Sequence, residues 1–198
     1  GLSWGLSERD HGSDLLANET VAEKVDGGYL LTGEKWLIGN ATVADKMAVF
    51  ARTGKRGGPA AHSIFILDKT TAAPDTIEEL PGEPLHGLRA LDLSGVRLKG
   101  AFVPDEWLIG GEGQGLEIAL KASQAMRAVI SSLALSAVDT TLRVNLDFTE
   151  NRVLFGGAVS DVPYTRRQLT EAFADLMVAD AVSIGASRGL QAAPDQVS

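Results

Sequence analysis

Two different periods of apolar residues divide the chain. Up to about Gly110 the apolar positions come in short runs, alternating with polar ones or filling a few consecutive places, and each run is bounded by turn residues. Thr20-Val21-Ala22-Glu23-Lys24-Val25 and Tyr29-Leu30-Leu31-Thr32 flank Asp26-Gly27-Gly28, which is the pattern of a β-hairpin. Gly33-Glu34 reads as a second turn leading into Lys35–Asn40. Further strands are expected at Lys46–Arg52, His62–Asp68, Leu91–Leu98, Ala101–Val103 and Trp107–Gly110, with a loop rich in Gly and Pro at Thr53–Pro59. From Leu116 to about Asn151 there is neither proline nor glycine. Ile130, Ala134, Val138 and Leu142 recur at spacing four there, and Met126, Val129, Leu133 and Ala137 fill the adjoining stripe, which predicts one long helix. A second helix follows, with Asp161 as its cap, Pro163 in its first turn, a core face of Leu169, Phe173, Leu176-Met177, Ala181 and Ile184, and an outer pair Arg167–Glu171.

The change of period defines the fold class as α+β. A small antiparallel β-barrel-like domain, residues 1–110, precedes two long antiparallel helices of a four-helix-type bundle, residues 111–198. The cluster Gly110-Gly111-Glu112-Gly113-Gln114-Gly115 marks the boundary and reads as a linker, since it lacks the βαβ setting of a dinucleotide fingerprint. Two helices cannot hide faces this apolar, so partners from another segment or another subunit are expected. Gly1-Leu2-Ser3-Trp4 reads as the interior of a strand and Gln191–Ser198 ends without a recognisable element, so the chain is expected to be a fragment.

Composition narrows the function. With 44% hydrophobic and 22% charged residues the 198-residue chain belongs with globular proteins. Its net charge of −8 argues against nucleic-acid and anionic-membrane binding, and the densest basic groups are only Lys55-Arg56 and Arg166-Arg167. The absence of cysteine excludes disulfides, thiolate catalysis and Cys-ligated metal within these residues, and fits a cytoplasmic location. No signal peptide opens the chain, and no apolar run approaches the roughly 20 residues of a membrane span. His11, His62 and His86 stand apart without ligand spacing, so no metal site is expected.

The candidate chemistry lies at two strand ends, Trp4-Gly5-Leu6-Ser7-Glu8 running on to Gly12-Ser13-Asp14, and Gly33-Glu34-Lys35-Trp36-Leu37-Ile38-Gly39-Asn40. Small and polar residues at the end of a strand let a flat ligand approach the backbone and leave N–H groups to bond its edge. Glu8, Asp14 and Asp92 read as structural carboxylates bonding loop N–H groups.

Taken in order, Leu6-Ser7-Glu8, Gly12-Ser13-Asp14, the Gly33–Asn40 stretch, Arg89 with Asp92, Val103-Pro104, Gly110–Gly115, the helix bearing Arg127, and Asn151-Arg152-Val153-Leu154-Phe155-Gly156 form a series. It resembles the acyl-CoA dehydrogenase family over essentially the whole chain, as the middle β-domain plus the start of the C-terminal helical domain. The resemblance implies FAD as cofactor and removal of two hydrogens from the Cα and Cβ of an acyl-CoA-like thioester. It also implies an electron-accepting flavoprotein as partner and a homo-oligomer, typically a homotetramer. By the same resemblance Trp4, Leu6, Ser7, Leu37 and Gly39 contact the flavin. Ser13 and Arg127 contact the CoA moiety of the substrate, and Arg152 and Phe155 reach the FAD of a neighbouring subunit. Leu37 stands where an aromatic residue is usual, and Gly39 where a hydroxyl is usual. The base that takes the α-proton is a Glu late in the family's helical domain or just before the helix arginine. The latter place holds Met126, so no catalytic base is assigned. The alternatives are a non-catalytic partner subunit of the same fold, a related flavin oxidase or hydroxylase, and a plain interaction module.

Overall fold

The hairpin at Asp26-Gly27 joins β2 (Val21–Val25) to β3 (Gly28–Gly39), which pair in antiparallel register from Val25 opposite Gly28 to Val21 opposite Thr32. The computed structural model describes residues 1–54 and 57–192, without the side chains of residues 191 and 192; Lys55-Arg56 and the residues from 193 on lie outside the described residues. By their contacts the residues form two compact units that divide between Ala119 and Leu120.

The first unit is built on one sheet of eight strands. Besides β2 and β3 it contains β1 (Leu2–Gly5), β4 (Lys46–Arg52), β5 (His62–Asp68), β6 (Ile77–Leu80), β7 (Leu93–Pro104) and β8 (Leu108–Ile109). The spatial order is β6-β7-β3-β2-β4-β5-β8, with β1 paired to β4. The sheet is mixed rather than wholly antiparallel, because β1 runs parallel to β4 and β2 meets β4 in parallel at Val21 and Arg52. Its path is open: β6 and β8 stand at its two ends and are not paired to each other among the described residues.

Two readings of local sequence change in the sheet. Gly33-Glu34 is no turn but the middle of the twelve-residue strand β3. Of the expected strands Leu91–Leu98 and Ala101–Val103, Leu93 onward and the whole of the second lie in the single strand β7, in which Gly100, at φ +72°, absorbs a register shift against Leu31 and Thr32. Both glycines sit in irregular strand backbone, and a turn signal reads the same in a bulge as in a loop.

Alternation along β4 and β5 feeds two cores. Met47, Val49 and Ala51 with Phe65 and Leu67 join Leu31 and Ile38 of β3 and Val96, Leu98 and Val103 of β7 in one buried cluster. Ala48, Phe50 and Ile64 point to the opposite face and gather Trp4, Leu6, Ile109, Leu116 and Ala119. Each Val, Leu, Ile, Phe or Met side chain so removed from water contributes about 1.5–3 kcal/mol. The glycine cluster belongs to this packing. A Cβ on Gly115 would come within 2.7 Å of the His62 carbonyl, so only glycine lets the chain lie directly on β5, and the Gly113 N–H donates to Ser63 Oγ at 2.9 Å. The stretch read as a linker is packed closely on β5 within the first unit.

The second unit holds α1 (Gly115–Asn151) from Leu120 on and α2 (Pro163–Ala192), joined by the short hairpin β9 (Val153–Leu154) and β10 (Gly157–Ala158). Ser131 in the first half of α1 and Ser183 in the second half of α2 share a hydrogen bond of 2.8 Å, so the helices run antiparallel, as the pattern predicts. Arg167 and Glu171 pair at 2.7 Å, whereas Asp161 lies in a 3-10 turn before α2 and accepts the Ala158 N–H rather than capping the helix. By length and composition α1 meets the requirements of a membrane span, with a mean hydropathy of 1.2 over its most apolar stretch. Its lateral pairing with α2 is that of a bundle helix.

Candidate functional site

The first strand end is held by its neighbours on the sheet. Trp4 lies opposite Ala48 of β4 and packs with Leu6 on the second core cluster. Its indole Nε1 is buried and has no hydrogen-bond partner. Beyond β1, Ser7 is fastened twice to β3: the Trp36 N–H donates to the Ser7 carbonyl at 3.0 Å, and Ser7 Oγ donates to the Trp36 carbonyl at 2.8 Å. The Ser7 hydroxyl proton is thus engaged inside the protein, which leaves the oxygen lone pairs and the backbone N–H for a ligand. Arg9 reinforces the attachment, stacking 4.1 Å from the centroid of the Trp36 ring and pairing with Glu34 at 3.5 Å.

Beneath this wall lies a buried polar network that the sequence reading missed. Lys35 is completely buried, and its ammonium donates to Glu8 Oε1 at 3.0 Å, to the Leu6 carbonyl at 3.3 Å and to Asn18 Oδ1. Three donors meet three acceptors. Glu8 also accepts the N–H groups of Glu19 at 2.6 Å and Thr20 at 2.8 Å, together with the Thr20 hydroxyl. Its reading as a structural carboxylate bonding loop N–H groups holds. Burial pushes the Lys35 ammonium down to about 8, against the Glu8 charge that favours it. For Glu8 burial acts to raise the value, and the Lys35 charge with the Thr20 and Glu19 hydrogen bonds outweighs it, so the carboxyl lies below its usual range. The available signal was a lysine within the strand, directly before the apolar run Trp36-Leu37-Ile38.

At the second strand end the backbone is strained. Leu37 and Asn40 have φ of +56° and +59°, and the β3–β7 register slips between Trp36 and Ile38. A left-handed conformation costs an L-residue about 1–2 kcal/mol. The slip turns the Leu37 side chain outward, half exposed, and a Cβ on Gly39 would meet nothing within 4 Å. Asp92 pins the end in place. Its carbonyl accepts the Asn40 N–H at 2.8 Å, and its carboxylate accepts the Thr42 N–H at 2.8 Å, the Thr42 hydroxyl at 3.0 Å and the Ser94 hydroxyl at 2.7 Å. Ser13 is exposed in the loop after the first strand end, where its carbonyl accepts the Leu15 N–H, and Asp14 beside it makes no side-chain cap.

The remaining candidates belong to the helical unit. Arg127 is exposed on α1 at the rim of a cleft of about 980 Å³ lined by Ser131, Leu135, Val182, Ser183 and Ala186, and Met126 before it is exposed too. Arg152 follows the end of α1 with an exposed side chain, its N–H bonded to the Phe148 carbonyl at 2.9 Å. Phe155 and Gly156, at φ of +53° and +85°, form the two-residue turn of the β9–β10 hairpin. Such turns favour Asn-Gly, yet here a fully exposed phenylalanine is held in a left-handed conformation at the tip. The structure therefore brings Trp4, Leu6 and Ser7 together with the start of the second strand end at Trp36. It leaves Ser13 in a separate loop and sets Arg127 far along α1 from Arg152 and Phe155.

Residues 3–101 match the family described as acyl-CoA dehydrogenase, middle domain. The mitochondrial isovaleryl-CoA dehydrogenase of Oryza sativa subsp. japonica is 28% identical over 171 residues, 86% of this chain and 41% of that protein. The solved butyryl-CoA dehydrogenase from Megasphaera elsdenii superposes with a TM-score of 0.87 at 26% identity, over 94% of this chain and 48% of that one. The FAD complex of PigA shares the fold with a TM-score of 0.88 at 24% identity, over 96% and 49% of the two chains. The chain thus spans less than half the length of the curated relatives it matches.

Proposed function

The chain belongs to the acyl-CoA dehydrogenase family, whose members are FAD-dependent, and on that footing we propose that it supplies the flavin wall of an acyl thioester dehydrogenase. The observation that carries this reading is the buried Trp4 Nε1, a donor without an acceptor on the strand end that this reading assigns to the cofactor. A buried donor left unpaired costs about 1–3 kcal/mol, which an acceptor on a bound ring system removes.

The residues fit an isoalloxazine in other respects. Gly39 leaves its side of the strand end open, and the outward Leu37 side chain supplies apolar contact. Trp4 and Ser7 would face the polar edge. In the same reading Arg152, an exposed guanidinium, suits the pyrophosphate of a neighbouring subunit's cofactor, and the exposed Phe155 ring suits burial against that subunit. Ser13 and Arg127 would steady the pantetheine and CoA portions of the substrate. When bound, FAD supplies the two-electron oxidant for the Cα–Cβ bond, and another flavoprotein then accepts the electrons. No residue here is assigned as the base that takes the α-proton, since the position before the helix arginine holds Met126, which cannot accept a proton. The exposed apolar positions on α1 and α2 support a homo-oligomer.

Purified full-length protein should show flavin absorbance bands and reduce an artificial dye when given acyl-CoAs of graded chain length. Trp4→Phe keeps the ring but removes the N–H, and should weaken FAD binding roughly fivefold to tenfold. A preparation that takes up no FAD from saturating solution would sink the reading. Met126 and the replaced residues Leu37 and Gly39 favour a second one, a non-catalytic partner subunit. Bound flavin without turnover of any thioester would select it.

A further inference from the structure

We infer that Lys35 and Asn18 are positioning residues that aim the Ser7 backbone N–H at the cofactor, an inference that rests on the flavin reading above. The Leu6 carbonyl receives two hydrogen bonds from side chains of separate segments, Asn18 Nδ2 at 3.0 Å and Lys35 Nζ at 3.3 Å. No cis peptide bond occurs among the described residues, so the Leu6–Ser7 peptide is trans and its C=O and N–H point in opposite directions. Drawing the Leu6 carbonyl inward to two buried donors therefore turns the Ser7 N–H away from the core. That N–H has no acceptor among the described residues, and it lies three positions along the chain from the indole N–H of Trp4, which has none either. Two unpaired donors from one strand end suit the acceptor-rich pyrimidine edge of a flavin.

The device is rigid because each member is over-determined. Asn18 uses its amide in both senses, donating to Leu6 and accepting from Lys35. Lys35 is fixed in turn by Glu8, which is itself held by two backbone N–H groups and the Thr20 hydroxyl. Rotation of the Leu6–Ser7 peptide would take one acceptor from the buried ammonium and one from the buried Asn18 amide at once.

The test uses full-length protein and three measurements: FAD affinity by titration, the flavin carbonyl stretch by isotope-edited infrared difference spectra, and the melting temperature without FAD. Asn18→Ala removes one of the two bonds that aim the peptide. The pair Lys35→Met/Glu8→Gln removes the other without leaving Glu8 as an unpaired buried charge. Each variant should raise the FAD dissociation constant roughly tenfold. Each should also move a flavin carbonyl band to higher frequency, as expected when a donor is lost, and the band shift should not scale with the change in melting temperature. Unchanged affinity and carbonyl bands in a folded variant overturn the inference while leaving the flavin reading intact. Affinity lost only in proportion to melting temperature, with no band shift, also overturns it, because the network is then merely structural. If the unsubstituted protein binds no FAD, both fall together.

Discussion

Up to Ala119 the chain completes its own interior; from Leu120 on it does not. In the sheet unit Phe50, Phe65, Leu31, Ile64 and Val96 are fully out of water, and even the buried Lys35 has all its donors engaged. In the helical unit Leu142 is the single buried apolar side chain among the described residues, and it keeps 8% exposure, while Val129, Ile130, Leu133, Val182 and Met177 stand exposed. The difference follows from geometry. A mixed sheet that packs several strands around two clusters supplies both sides of a core from one short stretch of chain. Two antiparallel helices cover only the stripe that each turns to the other, and the rest of a wide apolar face needs further helices.

Substitutions at matched residues test this contrast most strongly. Phe50→Ala should destabilise the sheet unit by about 3–5 kcal/mol in a denaturant titration, because the ring is enclosed between the sheet and the start of α1. Leu133→Ala in the same 198-residue chain should change stability by less than about 0.5 kcal/mol. In the full-length protein the Leu133 effect should rise to a core-sized loss of about 2–5 kcal/mol. An unchanged small effect there would show that the helix face stays open to solvent and that the two units differ by design rather than by missing partners.

Acidity separates the regions next, since the buried ion pair lies wholly in the sheet unit. The folded Lys35 titrates near 8 rather than at its ordinary 10.5. Between those values the unfolded chain holds a proton that the folded one lacks, so the lysine's contribution to stability rises with pH across that window. Glu8, whose folded value is lowered, stabilises above its ordinary 4.5, and that contribution disappears as pH falls through the folded value. The stability of the protein minus that of Lys35→Met/Glu8→Gln should therefore climb from pH 8 towards 10.5 and fall in acid. A flat difference would mean that the pair does not titrate as its burial requires.

Leu37→Gly probes the smallest effect. It should stabilise the sheet unit by up to about 1 kcal/mol by releasing the left-handed strain, at little cost in burial because the side chain is half exposed. Destabilisation by that amount or more would show that the Leu37 side chain, not the backbone, organises this strand end.

Much of this was legible in the residues. Asp26-Gly27 announces its hairpin, the stretch free of Gly and Pro announces α1, and Arg167 with Glu171 announces an exposed i,i+4 pair. These are local, and periods of two or 3.6 report them directly. Glu8 and Asp92 were legible as acceptors of loop N–H groups, and the ordered motifs pointed to the family. What was not legible depended on residues far apart in the chain. Neither the parallel alignment of β1 on β4 nor the seating of Gly115 on His62 leaves a periodic trace. The carbonyl of Leu6 shared by Asn18 and Lys35 leaves none either. Gly33-Glu34 shows the same limit from the other side, since a glycine needed mid-strand for close approach to Thr20 and a glycine that makes a turn are the same letter.

The sequence by itself determined most of which stretches are strand and which are helix, and which family the order of its motifs resembles. Only the tertiary structure decided that Ser7 is bound to Trp36, that a lysine lies buried beneath the first strand end, and that Leu37 points out to solvent. Local preference is written in neighbouring residues, whereas burial and the direction of a peptide group exist only once distant segments meet.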